Sequence, residues 1–215
     1  MSFSGECVRL YVATDIHASS RAAQMIRENV QAHRPDVFVA AGDLTNFGPV
    51  SYARDLLTGL GVPTLAVPGN CDPPEIVPVL GELGVDLHGK KVTIAGRTFV
   101  GIGGSNPTPF GTPFELSERE IEATLGPIME TGAILVSHPP PRGVVDTVHS
   151  GAHVGSVAVR AIVEKFRPPL VLCGHIHEAR GIGRLGPTTV VNPGAARDGH
   201  SALIELDGEV RVRLL

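Results

Sequence analysis

Five short runs of this 215-residue chain carry side chains that bind cations. They are Asp15-x-His17, Gly42-Asp43, Gly69-Asn70-Cys71-Asp72, Ser137-His138 and Gly174-His175-Ile176-His177. Together they offer four imidazoles (His17, His138, His175, His177), two carboxylates (Asp15, Asp43) and one amide (Asn70). That is more than one tetrahedral zinc site uses, and the nitrogen and oxygen mixture suits a pair of divalent ions. Two cations roughly 3.5–4 Å apart need a shared ligand, which an ionised aspartate can be. Such a pair ionises water near neutral pH, orients a phosphate and neutralises charge growing on its oxygens. The chemistry these donors point to is therefore metal-assisted hydrolysis of a phosphate ester. Each fragment alone is weak, since Gly-Asp and Gly-Asn are ordinary turn pairs. The inference rests on the ordered set.

The order matters because every run follows an apolar segment that reads as a strand. Val8 to Ala13, Val37 to Ala41 and Thr64 to Val67 end at the first three runs, and Ala133 to Val136 and Leu170 to Cys173 end at the last two. In open α/β sheets the loops beyond the carboxyl ends of strands meet at one edge, so clusters spread from Asp15 to His177 can converge. The intervening pattern predicts helices from Ser19 or Ser20 to about Ala32 and from Tyr52 to Leu60, with Gly61 as C-cap. Ser117 and Glu120 form a capping box opening a helix to about Glu130, and another helix runs from Ser156 to Phe166. Short strands are expected at Val85 to Leu87, Lys91 to Ala95 and Thr98 to Ile102, with hairpin-like strands from Gly181 to the end. Two long loops, Gly103 to Leu116 and Pro139 to His153, flank the fourth strand end. No repeat or linker is visible, so residues 1–215 are read as one α/β domain.

Composition narrows the class. Hydrophobic content of 42 % and charged content of 19 % fit a soluble globular chain. With Trp absent, the core rests on Val, Leu, Ile and Ala. The net charge is −4 and there is no Lys or Arg block, which argues against nucleic acid as a partner. Three widely spaced cysteines make no disulfide framework, and a cytoplasmic location is expected. Met1 to Glu6 lacks the regions of a signal peptide, and no apolar run approaches the roughly 20 residues of a membrane span, so no membrane partner is expected.

In family order, the five runs resemble those of the calcineurin-like metallophosphoesterases, over Asp15 to about Gly194. The resemblance implies two packed mixed β-sheets flanked by helices, a four-layer sandwich with a dimetal site at one sheet edge. It implies a first metal held by Asp15, His17, Asp43 and His177, and a second held by Asp43, Asn70, His138 and His175. Asp43 and a hydroxide would bridge, with Mn2+ expected first and Fe, Zn2+ or Ni2+ as alternatives. Ser137-His138-Pro139-Pro140, Val144-Val145-Asp146 and Gly151-x-His153-x-Gly155-Ser156 are further similar to a phosphodiesterase-type branch, whose members act on small nucleotide diesters. The expected substrate is thus a small phosphate ester, nucleotide-like and diester rather than monoester. A phosphomonoesterase and a non-catalytic protein-binding scaffold remain alternatives, and a homodimer is compatible with the sequence.

One position departs from the family pattern, which has His where this chain has Cys71. A thiol substitutes poorly for imidazolium. Either Cys71 packs as a small apolar residue, or the chain favours good leaving groups or recruits another acid. His153 is the first candidate for that acid, with His149 and His200 also in reach of the site by sequence. Arg197 could grip a phosphate, and Phe110 or Phe114 could stack on a base or simply anchor their loop. Ser137 is expected to support its strand end, and Asp72 to orient its neighbours.

Overall fold

The computed structural model describes residues 7–215; the N-terminal reading of Met1 to Glu6 lies outside them. Two mixed sheets pack face to face. The first contains β1 (Val8–Ala13), β2 (Val37–Ala41), β3 (Thr64–Val67), β10 (Ala202–Asp207) and β11 (Glu209–Leu214), in the order β11-β10-β1-β2-β3. The second contains β4 (Lys91–Ile94), β5 (Arg97–Ile102), β6 (Ile134–Ser137), β7 (Leu170–Leu172), β8 (Gly181–Leu185) and β9 (Thr188–Asn192), in the order β4-β5-β6-β7-β9-β8. β1, β2 and β3 run parallel, as do β5, β6, β7 and β9. β2, β3, β6, β7 and β9 are buried along their whole length, as parallel strands covered on both faces are, whereas the edge strands β4, β8 and β11 alternate.

Three apolar layers follow from this arrangement. Val12, Val39 and Val67 of the first sheet meet Phe99, Val136 and Leu172 of the second. Outside the first sheet lie α1 (Ser20–His33), α2 (Ser51–Leu57) and α3 (Ile76–Glu82), burying Ile26, Leu56 and Leu80 against Tyr11 and Phe38. Outside the second lie α4 (Glu118–Leu125) and α5 (Val157–Phe166), burying Ile121, Val159 and Ile162. The result is the expected helix–sheet–sheet–helix sandwich.

The helix starts follow their caps. Ser19 accepts from the Ala22 N–H and Ser156 from the Val159 N–H, and Ser117 and Glu120 close the capping box in both directions. Some boundaries differ from the sequence expectation. α2 stops at Leu57 rather than Leu60, because Thr58 turns extended and Gly59 takes a positive φ of 72°. α4 stops at Leu125 rather than Glu130, where Gly126-Pro127 interrupts it. α3 was not expected, since Pro78 falls within it; Pro78 is tolerated there because first-turn N–H groups lack helical partners anyway. Val85 to Leu87 is no strand of either sheet. It ties the two together, Asp86 bridging to Ala66 of β3 and His88 to Gly101 of β5.

Candidate metal centre

The carboxyl ends of β1, β2, β3, β6 and β7 open onto one edge of the sandwich, and their loops are laced together there. The Asp15 N–H donates to the Gly42 carbonyl at 3.0 Å, and the Ile16 and His17 N–H groups to the Asp43 carbonyl at 2.8 and 2.9 Å. The Gly174 N–H reaches the His138 carbonyl at 3.0 Å, joining β6 to β7. The His175 N–H donates to the Asp15 carboxylate at 3.1 Å, joining the second sheet to the first.

Close approach of these loops demands glycine at specific points. A Cβ on Gly69 would stand 2.0 Å from Asp43 Oδ1 and 2.2 Å from the Asp43 backbone nitrogen. A Cβ on Gly174 would stand 1.9 Å from Thr14 Oγ1. The candidate ligands themselves are conformationally unusual: Asp15, His17, Asp43 and His175 all have positive φ, at 54°, 48°, 48° and 68°. Left-handed non-glycine residues are uncommon and cost of order 1–3 kcal/mol each, so four at one edge mark a site whose surroundings hold it.

All seven residues singled out as ligands come together. His177 Nε2 is 3.2 Å from Asp15 Oδ1 and 3.3 Å from His17 Nε2. Asp43 faces both halves of the cluster, Oδ2 lying 3.6 Å from His17 Nε2 and Oδ1 3.5 Å from His138 Nε2. Asn70 Oδ1 is 3.0 Å from His138 Nε2, and the His175 ring tilts against His138 with centroids 5.2 Å apart. Asp15 and Asp43 are buried at 0 % and 2 % exposure.

These spacings fit a divalent cation. Two donors each about 2.1 Å from one ion stand roughly 3.0–3.4 Å apart, near the separations seen here and longer than charge-assisted hydrogen bonds of about 2.8 Å. The donor atoms of Asp15, His17 and His177 all lie within 4.8 Å of one another, as do those of Asp15, Asp43 and His138. Among the described residues His17 Nδ1 is buried without a hydrogen-bond partner. Two buried carboxylates among imidazoles, with no Lys among them, form a cage for positive charge.

The electrostatics agree. Burial alone would raise the Asp43 carboxyl, but the imidazoles of His138 and His17 and the Cys71 N–H outweigh it and hold it well below the usual range. Burial would depress His138, yet the Asp43 and Asp15 carboxylates raise it. His175, buried beside His138, is driven down to about 4. Burial, and then the Asp43 carboxylate, push the Cys71 thiol far up, so it stays neutral.

Around the cluster the supporting side chains are in place. Asp72 is fully buried and accepts from the Leu44, Thr45 and Gly69 N–H groups and the Thr45 hydroxyl, tying the β2 end to the β3 end. Ser137 donates to the Pro139 carbonyl at 2.7 Å. Thr14 donates to Asp15 Oδ2 at 3.0 Å, a support that no spacing in the sequence marks. Arg197 is beside the cluster, its guanidinium 3.2 Å from His177 Nδ1. Cys71 is half-buried with its sulfur within 4.8 Å of the His17 and Asp43 donor atoms, so it faces the site instead of filling the core.

His153 stands apart from the seven. It lines a cleft of about 710 Å³ with Phe110, Arg142, His149 and His175. Its Nδ1 is 2.6 Å from Asp146 Oδ1, and Asp146 is fully buried, accepting from the Gly143 and Gly155 N–H groups. Phe110 is 83 % exposed at the cleft, whereas Phe114 packs on His88, ring centroids 5.3 Å apart, and serves as a loop anchor. His200 sits in a turn, its N–H on the Ala195 carbonyl. Two residues of the long loop went unnoticed in the sequence: Thr112, which touches Asn70, and Glu115, which touches Thr112. Only the Thr and Glu side chains themselves could have hinted at them, within a stretch that has no periodicity.

The two-sheet sandwich thus carries, at one edge, a carboxylate–imidazole cluster suited to divalent cations. The calcineurin-like phosphoesterase pattern matches residues 8–179, and the chain belongs to that family. It is 40 % identical over 167 residues to an uncharacterized protein of Methanocaldococcus jannaschii, covering 74 % of this chain and 77 % of that one. A probable cyclic nucleotide phosphodiesterase of Synechococcus is 26 % identical over 206 residues, covering 87 % of this chain and 80 % of the relative. A crystal structure from Thermus thermophilus shares the fold with a TM-score of 0.75 at 19 % identity, over 97 % of this chain and 99 % of that one. Members of this family act on phosphate esters, and the residues here suit divalent metals. Among the described residues no helix is long and apolar enough to cross a membrane.

Proposed function

We propose that the chain is a two-cation phosphodiesterase acting on small nucleotide-like esters. The position of Asp43 carries the reading. One of its oxygens faces His17 and the other faces His138, so a single carboxylate serves both halves of the cluster. Asp15, His17, Asp43 and His177 would hold one cation, and Asp43, Asn70, His138 and His175 the other. When bound, such a pair supplies Lewis acidity to phosphate oxygens and lowers the pKa of water. Mn2+ is the first expectation, with Fe, Zn2+ or Ni2+ as alternatives.

The remaining work falls to the chain's own groups. Asp43, Asn70 and His138 orient the reacting centre by fixing the cage. The cleft beside His175 has room for a second ester substituent, which a monoester does not carry. The Asp146 carboxylate takes the Nδ1–H of His153, so only the imidazolium form also carries a proton at Nε2; that form would pass it to the leaving oxygen and be left as the Nδ1–H tautomer. Cys71, kept neutral, offers neither a nucleophilic thiolate nor a cationic acid. The similarity to a probable cyclic nucleotide phosphodiesterase supports the same substrate class. A single domain working in the cytoplasm, as monomer or homodimer, is part of the proposal.

The test is a substrate panel with Mn2+. Bis(p-nitrophenyl) phosphate should turn over faster than p-nitrophenyl phosphate, and Asp43→Asn, still folded, should lose the activity. A monoester preference would make this chain a phosphomonoesterase instead. Full activity in Asp43→Asn would remove the shared carboxylate from the account.

A further inference from the structure

The long loop between β5 and α4 contains a chain of hydrogen bonds that ends in the cation cage. Glu115 Oε1 accepts from the Thr108 hydroxyl at 2.6 Å, the Thr112 N–H at 2.8 Å and the Thr112 hydroxyl at 2.7 Å. Thr112 Oγ1 is in turn 3.1 Å from Asn70 Nδ2, and Asn70 Oδ1 is 3.0 Å from His138 Nε2. The loop is also pinned to this residue through the backbone, the Phe114 N–H donating to the Asn70 carbonyl at 3.1 Å.

Each link has only one polarity. An ionised carboxylate accepts and cannot donate. A threonine hydroxyl has one hydrogen, and here Glu115 takes it, so towards Asn70 the hydroxyl can only accept. The Asn70 amide must therefore present its NH2 group to Thr112 and its oxygen to the cluster. Reversed, the amide would aim two N–H donors at the place where a cation needs a lone pair. Burial is the largest single influence on the Glu115 carboxyl and raises it, but the hydrogen bonds from Thr108 and Thr112 together outweigh burial and hold the carboxyl down to about 2, so it accepts throughout the neutral range.

We infer that Thr112 and Glu115 are positioning residues that set the orientation of the Asn70 amide and, through it, the affinity of one of the two cation sites. The inference rests on the two-cation reading above. It predicts an asymmetric defect, because the side of the cage formed by Asp15, His17 and His177 does not touch this chain of bonds.

Titration of metal-free, full-length protein with Mn2+, followed by electron paramagnetic resonance of the free ion, tests it without turnover. Wild type and Thr112→Ser, which keeps the hydroxyl, should bind two equivalents alike. Thr112→Val, nearly equal in volume, should weaken one equivalent by roughly 10- to 100-fold and leave the other unchanged. Glu115→Ala, which frees the Thr112 hydrogen, should weaken the same equivalent, and it is read in place of Thr112→Val should that variant not fold. Two equivalents at wild-type affinity in these variants would overturn the inference alone. Wild-type protein that binds no Mn2+ would overturn the two-cation reading and this inference with it.

Discussion

His17 and His177, 160 residues apart in the chain, bring their Nε2 atoms to within 3.3 Å of each other, at the shared edge of the two sheets. At that distance one ring can donate its N–H to the other, or both can aim lone pairs at a common cation. Asp15, 3.2 Å from His177, and Asp43, 3.6 Å from His17, complete the enclosure. β1 and β2 supply one half of it, and the turn after β7 supplies the other.

The glycine before Asn70 gives a direct test of how tightly this edge is assembled. Gly69→Ala would drive a methyl into Asp43, whose carboxylate and backbone nitrogen are both within 2.2 Å of the added carbon. Backbone atoms cannot step aside as a flexible side chain can. The variant should lose roughly 1–3 kcal/mol of stability or more in urea unfolding, together with Mn2+ affinity. A control at Gly84, where nothing lies near the added carbon, would carry only the penalty of its positive φ and should keep its metal.

Protons and metal should compete. His138 in the metal-free protein is raised, against the opposing effect of burial, by the Asp43 carboxylate. It therefore carries a proton at neutral pH, and a metal ligand must be neutral, so binding should expel that proton. Mn2+ affinity should rise with pH above neutrality, and calorimetry in buffers of different ionisation enthalpy should show proton release. Metal-free stability runs the other way. The contribution of a raised histidine is fully present below its ordinary value of 6.5 and is lost as pH climbs towards about 9. Asp43, held low, contributes above the ordinary carboxylate range and loses its share only in acid.

Cys71 should behave as an inert thiol. Burial and the Asp43 charge push it up, so little thiolate exists at pH 8. Mass spectrometry after brief iodoacetamide treatment should find label on exposed Cys7 and little on Cys71. Cys71→Ala should keep bis(p-nitrophenyl) phosphate hydrolysis within a few-fold, and a total loss would give the sulfur a role that this account denies it.

The Asp146–His153 pair should matter most when the leaving group is poor. His153→Ala should cut turnover of an alkyl-leaving diester by about 100-fold or more, the usual reach of general acid catalysis, and affect a p-nitrophenyl ester far less. Asp146→Asn should follow the same pattern, because it removes the carboxylate 2.6 Å from Nδ1. Equal losses on both esters would place His153 in substrate binding or folding.

What was readable in the sequence was what repeats at short range. Apolar runs such as Val37–Ala41 announce buried strands, and the polar pair after each announces a loop at the sheet edge. Asp15, His17, Asp43, Asn70, His138, His175 and His177 were legible for that reason, as was the capping box at Ser117. α3 was hidden by Pro78, whose usual meaning is the end of a helix. The segment Val85 to Leu87 looked like a strand because it, with His88 after it, serves two sheets by single bridges. Thr112 and Glu115 were invisible because their partners are fixed by tertiary contact in an irregular loop, where no spacing rule applies.

The central claim is that these seven side chains enclose a pair of cations. Crystals grown with Mn2+ and measured at the manganese absorption edge test it most directly. Two anomalous peaks roughly 3.5–4 Å apart, with Asp43 between them, are the predicted result. A single peak, or none inside the cluster, would contradict it.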